Sequence, residues 1–216
     1  MRSEIKQAIK KHKLIAIVRG VDPDKCLRVA QALYDGGMRL MEITYDQKHP
    51  ESWENTAKTI GAVAVAMAGK MYIGAGTVTC KELVELTYRH GGQFIISPDV
   101  YEDVINRTCE LDMVSIPGAL TPTEVMTAHR AGADFVKLFP AGSMGATYMK
   151  AIKAPISHVD VLAVGGIDEH NVASFLAAGA AGAGIGGNLV NNAWVAAGEF
   201  EKITEATRRL VAAVGK

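Results

Sequence analysis

A chain of 216 residues with 49% hydrophobic and 21% charged side chains can build one sizeable core and has the balance of an ordinary soluble globular protein. Its 23 basic residues offset 23 acidic ones, so no polybasic face is predicted and nucleic acid is not an expected partner. No apolar stretch reaches the roughly 18 residues of a membrane span, and no membrane partner is expected either.

Residues 1–13 are charged and amphipathic, lack the apolar core of a signal peptide, and contain a leading helix over 3–11. Eight short apolar runs follow, at 14–18, 40–43, 71–73, 94–96, 113–116, 135–139, 159–164 and 183–185. They are rich in β-branched residues and recur every twenty-odd residues, roughly, with amphipathic or Ala-rich stretches between them. That is the pattern of repeated βα units on a parallel sheet. Continuous apolarity, rather than alternation, fits strands covered on both faces. Asp22-Pro23 opens a helix to Tyr34 that Gly36-Gly37 ends. Thr121-Pro122-Thr123-Glu124 reads as a capping box, closed by Gly132. A further helix opens at Asp168 and stops at Gly179, and a last one runs over 194–214. No linker or composition break divides residues 1–216. Eight βα units in about 200 residues fit a single α/β domain, a (β/α)8 TIM barrel with an extra N-terminal helix. An open doubly wound sheet would need a Gly-rich first turn, and Val18-Arg19-Gly20-Val21 is not one.

Cys26, Cys80 and Cys109 are scattered and odd in number, which suits a reducing cytoplasm better than a disulfide framework or a zinc motif. The six histidines contain no H-x-x-x-H pair, so no metal site is expected.

Chemistry in a barrel belongs at the C-terminal ends of the strands. Lys137 interrupts the apolar sixth run, where alternation puts it on one face with Phe135 and Phe139. Lost hydration lowers an amine's pKa from about 10.4 towards neutrality, and a neutral amine attacks carbonyl carbon. The bland alternative is a snorkelling or paired lysine at a strand end. Glu42 interrupts the second run; a buried carboxylate should be protonated, paired or kept for a reaction, a structural ion pair with Arg19 or Lys137 being the alternative. Gly165-Gly166 and Gly186-Gly187 end the last two strands, where glycine lets backbone N–H groups approach a phosphate. Tight turns also use glycine for φ alone.

Six segments together resemble a known family. They are Val18-Arg19-Gly20, Met41-Glu42-Ile43-Thr44, Gly74-Ala75-Gly76-Thr77-Val78, Ile116-Pro117-Gly118, Phe135-Val136-Lys137-Leu138-Phe139-Pro140 and Val164-Gly165-Gly166-Ile167. Their order is that of class I bacterial 2-keto-3-deoxy-6-phosphogluconate aldolases, a family including 4-hydroxy-2-oxoglutarate and 2-keto-3-deoxy-6-phosphogalactonate aldolases. The resemblance spans residues 15–189, and segments 148–154 and 181–186 look closer to the galactonate branch. It implies Lys137 as the Schiff-base residue and Glu42 as general acid/base. Arg19 and Thr77 would hold the pyruvyl carboxylate, with Pro98 and Phe139 completing the substrate set and the two glycine pairs holding phosphate. It further implies a homotrimer, no metal or organic cofactor, and a sugar-acid phosphate and pyruvate as small-molecule partners.

Two departures bear on the distal half of the substrate. Asp46 stands where the gluconate branch has an arginine, and Gly187 where the last phosphate loop often has a serine. The expected reaction is reversible aldol cleavage of a 2-keto-3-deoxy-6-phospho sugar acid to pyruvate and an aldehyde such as glyceraldehyde 3-phosphate. A phosphosugar isomerase, epimerase or synthase would use Glu42 and Lys137 without a covalent adduct. A sugar-acid sensor without turnover is the non-enzymatic alternative.

Overall fold

All eight apolar runs form strands in the computed structural model, which describes residues 1–215. The strands are β1 Leu14–Val18, β2 Leu40–Thr44, β3 Tyr72–Gly76, β4 Phe94–Ile96, β5 Val114–Ile116, β6 Gly118–Ala119, β7 Val136–Leu138, β8 Val161–Val164 and β9 Gly182–Ile185. All pair in parallel, in the order β5-β4-β3-β2-β1-β9-β8-β7-β6.

The strand beyond the eight runs is β6, which carries the fifth stave on past Pro117. Pro117 separates β5 from β6 because it has no N–H to give to a ladder. Hydrogen bonding nevertheless runs through the break. The Lys137 and Phe139 amides donate to the carbonyls of Pro117 and Ala119, and the Ser97 and Gly118 amides bond Ile116 and Asp99. One interrupted stave thus pairs with β4 on one side and β7 on the other, and the sheet closes into the expected (β/α)8 barrel. Gly118 is obligatory there, since a Cβ would collide with the Pro98 carbonyl.

The helices are α1 Arg2–His12, α2 Pro23–Asp35, α3 Trp53–Ala66, α4 Lys81–Arg89, α5 Glu102–Glu110, α6 Pro122–Arg130, α7 Ala141–Lys153, α8 Val172–Ala177, α9 Asn192–Ala197 and α10 Phe200–Val214. The capping box at Thr121 and Glu124 forms in full, both partners bonding reciprocally. Two expectations need correction. The final helix is not continuous: Gly198 takes the left-handed conformation at φ 76°, ends α9 and separates it from α10. Asp168 does not begin α8 either. Its carboxylate accepts from the His170 and Asn171 amides in the turn before the helix, and Asn171 is the residue at the N-cap.

Two apolar layers follow from strand alternation. Outward-facing residues such as Val136, Leu138, Val161 and Ala163 pack beneath the helices. Inward-facing Ile15, Leu40, Phe94, Val114, Phe135 and Leu162 fill the barrel with Ile5 and Ile9 of α1, which therefore plugs the N-terminal mouth. Asp134 pins that plug. Its side chain is buried and takes bonds from Arg2 Nε at 2.9 Å, Lys6 Nζ at 3.0 Å and the Ser115 amide at 3.0 Å. With the N-terminal mouth filled, the barrel axis is left open towards the C-terminal end of the strands among the described residues.

Candidate active site

That open end is where the polar residues gather. Lys137 rises from β7 on the inward face with Phe135 beneath it, and only 7% of its surface is exposed. Desolvation lowers its pKa, against the pull of Glu42 and with the help of Arg19. Its Nζ lies 4.7 Å from the Phe139 ring centroid, at the mouth. Phe139 is itself 41% exposed, so only one of the two flanking rings walls a dry chamber.

Glu42 reaches the same axis from β2. It is 2% exposed, and its Oε2 has no hydrogen-bond partner among the described residues. Burial pushes its pKa up to about 7, with the charges of Lys137 and Arg19 pulling the other way. In register, Glu42 pairs with Ile17 on β1 and Gly74 on β3. The space for its carboxyl comes from Gly76, where a Cβ would lie 2.6 Å from the Glu42 carboxyl carbon.

Arg19 follows β1 and extends its guanidinium over the mouth, donating from Nη2 to Thr77 Oγ1 at 3.0 Å. Thr77 follows β3 in a left-handed backbone conformation, φ 58°, which is costly for a β-branched residue. Gly165 and Gly166 have φ of 88° and 74°, values that favour glycine, and the Phe139 ring would lie 3.0 Å from a Cβ at Gly165. Nothing lies within 4 Å of where a Cβ on Gly187 would stand, so that backbone faces open space.

All ten residues singled out in the sequence, Arg19, Glu42, Thr77, Pro98, Lys137, Phe139, Gly165, Gly166, Gly186 and Gly187, line one cavity of about 550 Å³. Ile17, Val164, Ile167 and Asn188 complete its wall. Asn188 had no assigned role; its amide reaches the Ile167 carbonyl at 3.4 Å and ties the two glycine loops together. The only signal for it in the sequence is its place directly after Gly186-Gly187. Asp46 lies elsewhere. It lines a neighbouring cavity of about 600 Å³ that shares Arg19 and Thr77 with the first, and its carboxylate accepts from the Lys48 amide at 2.9 Å. Among the described residues, no three His, Cys, Asp or Glu side chains are grouped to hold a metal ion, and no helix is long and apolar enough to cross a membrane.

Chemically, the cavity combines a desolvated amine, a carboxyl group able to exchange a proton near neutrality, and an arginine with a hydroxyl at the rim. Opposite them stand glycine-lined backbone loops.

Comparison with known proteins gives a consistent picture. The model for the family described as "Aldolase: KDPG and KHG aldolase" matches residues 5–206. The 2-dehydro-3-deoxy-6-phosphogalactonate aldolase of Escherichia coli (strain K12) is 41% identical over 177 residues, 82% of this chain and 83% of that one. A solved native KDPGal structure superposes with a TM-score of 0.83 at 37% identity, covering 93% of each chain. A cube-shaped, highly porous cage designed by fusing symmetric oligomeric domains superposes with a TM-score of 0.84 at 37% identity, over 94% of this chain and 72% of that one.

Proposed function

Since this chain belongs to the KDPG and KHG aldolase family, and is therefore an aldolase, a carbon–carbon lyase, we propose that it cleaves a 2-keto-3-deoxy-6-phospho sugar acid through a Schiff base on Lys137. The carrying observation is the juxtaposition in one cavity of an amine whose pKa burial lowers and the unpartnered carboxyl of Glu42.

Neutral Lys137 attacks the C2 carbonyl to form a carbinolamine, which loses water to give an iminium. Glu42 supplies the proton for that water and, as carboxylate, takes the proton of the C4 hydroxyl. The C3–C4 bond then breaks, its electron pair flowing into the iminium to leave an enamine while glyceraldehyde 3-phosphate departs. Protonation at C3 and hydrolysis release pyruvate and restore the amine. Arg19 and Thr77 bind the carboxylate and fix C2 against Nζ. The two glycine loops, Gly165-Gly166 and Gly186-Gly187, hold the phosphate through backbone N–H groups. No step calls for a metal or organic cofactor.

The galactonate derivative is the substrate proposed, because the 41% relative is a 6-phosphogalactonate enzyme and Asp46 replaces the arginine of the gluconate branch. The assembly proposed is a homotrimer; a cage built on symmetric oligomeric domains shares this fold at 37% identity. The cytoplasm is the compartment proposed, consistent with three unbridged cysteines.

Borohydride reduction in the presence of pyruvate tests the mechanism. It should leave a stable adduct on Lys137, visible by peptide mass, in the wild type and not in Lys137→Ala. Turnover without such an adduct would favour acid/base chemistry by Glu42 and Lys137 over covalent catalysis.

A further inference from the structure

Thr77 stands out among the described residues as the β-branched one with positive φ. Such a residue relaxes to an ordinary conformation unless its neighbours prevent it. Its hydroxyl accepts from Arg19 Nη2 at 3.0 Å, which leaves the hydroxyl proton free to donate to an anion at the rim. Relaxation of the backbone would swing that hydroxyl away from Arg19.

The restraint comes from the loop after β2. Gln47 Nε2 donates to the Thr77 carbonyl at 2.7 Å, and Gln47 Oε1 accepts from Thr79 Oγ1 at 2.9 Å. A carbonyl can only accept, so the amide orientation is fixed by its partners. The Gln47 backbone is itself held: Asp46 Oδ1 accepts from the Lys48 amide at 2.9 Å, and the Asp46 carbonyl from Trp53 Nε1 at 2.8 Å. Both ends of one exposed amide are thus spent on Thr77 and Thr79, next to the candidate carboxylate site.

We propose that Gln47 is a positioning residue for the carboxylate of 2-keto acids, acting through Thr77 by clamping its left-handed backbone so that the Thr77 hydroxyl and Arg19 face one anion. This rests on the carboxylate role proposed above for Arg19 and Thr77. It also gives Asp46 a task that needs no contact with substrate, namely shaping the arm that carries Gln47.

The test measures pyruvate affinity by calorimetry, with borohydride trapping and steady-state cleavage of 2-keto-3-deoxy-6-phosphogalactonate in parallel. Gln47→Ala and the near-isosteric Gln47→Glu, which cannot donate to the Thr77 carbonyl, should each weaken pyruvate about fivefold to tenfold and raise KM alike, with kcat held within about twofold. Thr77→Gly, which adopts positive φ freely but lacks the hydroxyl, should show a similar loss, and adding Gln47→Ala to it should cost nothing more. Unchanged pyruvate affinity in both Gln47 variants, or a full additional loss in the Thr77→Gly background, overturns the inference. An adduct on Lys137 with no Gln47 effect sinks this proposal alone, whereas a Gln47 effect with no adduct sinks the Schiff base alone.

Discussion

Glu42 is an acid held almost wholly out of solvent, and that position has a measurable consequence for stability. Its folded-state pKa of about 7 exceeds the ordinary 4.5, so the folded protein binds the proton more tightly than the unfolded chain. Below about pH 4.5 the group carries no charge in either state, and the charge penalty develops between about pH 4.5 and 7 and levels off above that. A shift of this size corresponds to about 3 kcal/mol at most, since one pKa unit is about 1.4 kcal/mol. Glu42→Gln should therefore match the wild type in stability near pH 4.5 and exceed it progressively up to about pH 7. Denaturant titrations across that range check this, and an offset independent of pH would contradict it. The same variant should slow cleavage roughly 10²- to 10⁴-fold with KM little changed, because a carboxamide cannot take the C4 proton. In the wild type kcat/KM should climb as pH passes through about 7 and the carboxylate form is populated; Glu42→Gln should lose that limb. Stability given up for reactivity is the expected exchange at a residue proposed as a catalytic acid.

At the scale of elements, the two ends of the barrel do different work. β3 ends in glycines that create room, and Gly76→Ala would drive a Cβ to 2.6 Å from the Glu42 carboxyl carbon. The strand has no slack to shift, being paired to β2 along its whole length and to β4. The expected outcome is a stability loss of about 1–3 kcal/mol together with loss of most activity. A fully active, equally stable Gly76→Ala enzyme would show that the carboxyl has freedom to move. At the opposite end, α1 depends on Asp134. Asp134→Ala removes the partner of Arg2 and Lys6 and leaves the Ser115 amide without its acceptor, which should cost about 2–4 kcal/mol. Because the plug is remote from the cavity, kcat should hold at temperatures where the variant stays folded. Thermal unfolding beside the coupled assay separates the two effects.

At the scale of the whole molecule, sedimentation equilibrium should give three times the chain mass, and a monomer of full activity would rule out a need for assembly. Substrate preference belongs to this scale too, because it depends on the balance of loops around the mouth. The galactonate derivative should be cleaved with a higher kcat/KM than the gluconate derivative. Asp46→Arg should not reverse that order cleanly, since it also breaks the turn that places Gln47.

The architecture was legible because its causes are local. Strand-length apolar runs at positions such as 14–18 and 94–96, and caps such as Thr121 with Glu124, are written within a few residues of each other. The face of Lys137 followed from a period of two, which tertiary context did not override, and all ten proposed site residues came to line a single cavity. Other features had no local cause to read. Gly198 splits the last helix although the amphipathic pattern runs through it, because a single residue can switch to positive φ without disturbing periodicity. That Pro117 interrupts a stave without opening the barrel depends on the Phe94–Ile96 and Val136–Leu138 strands standing on either side of it.

By itself, then, the sequence determined the barrel, its eight-fold repeat and the two ionisable side chains that interrupt its strands, since hydrophobic period and capping are short-range properties. Only the tertiary structure decided that Glu42 is left without a partner for Oε2, that Phe139 lies at the mouth rather than in the core, and that Gln47 holds Thr77 across a 30-residue separation. Those outcomes depend on desolvation and on contacts between strands far apart in the chain, which arise only once the staves are in register.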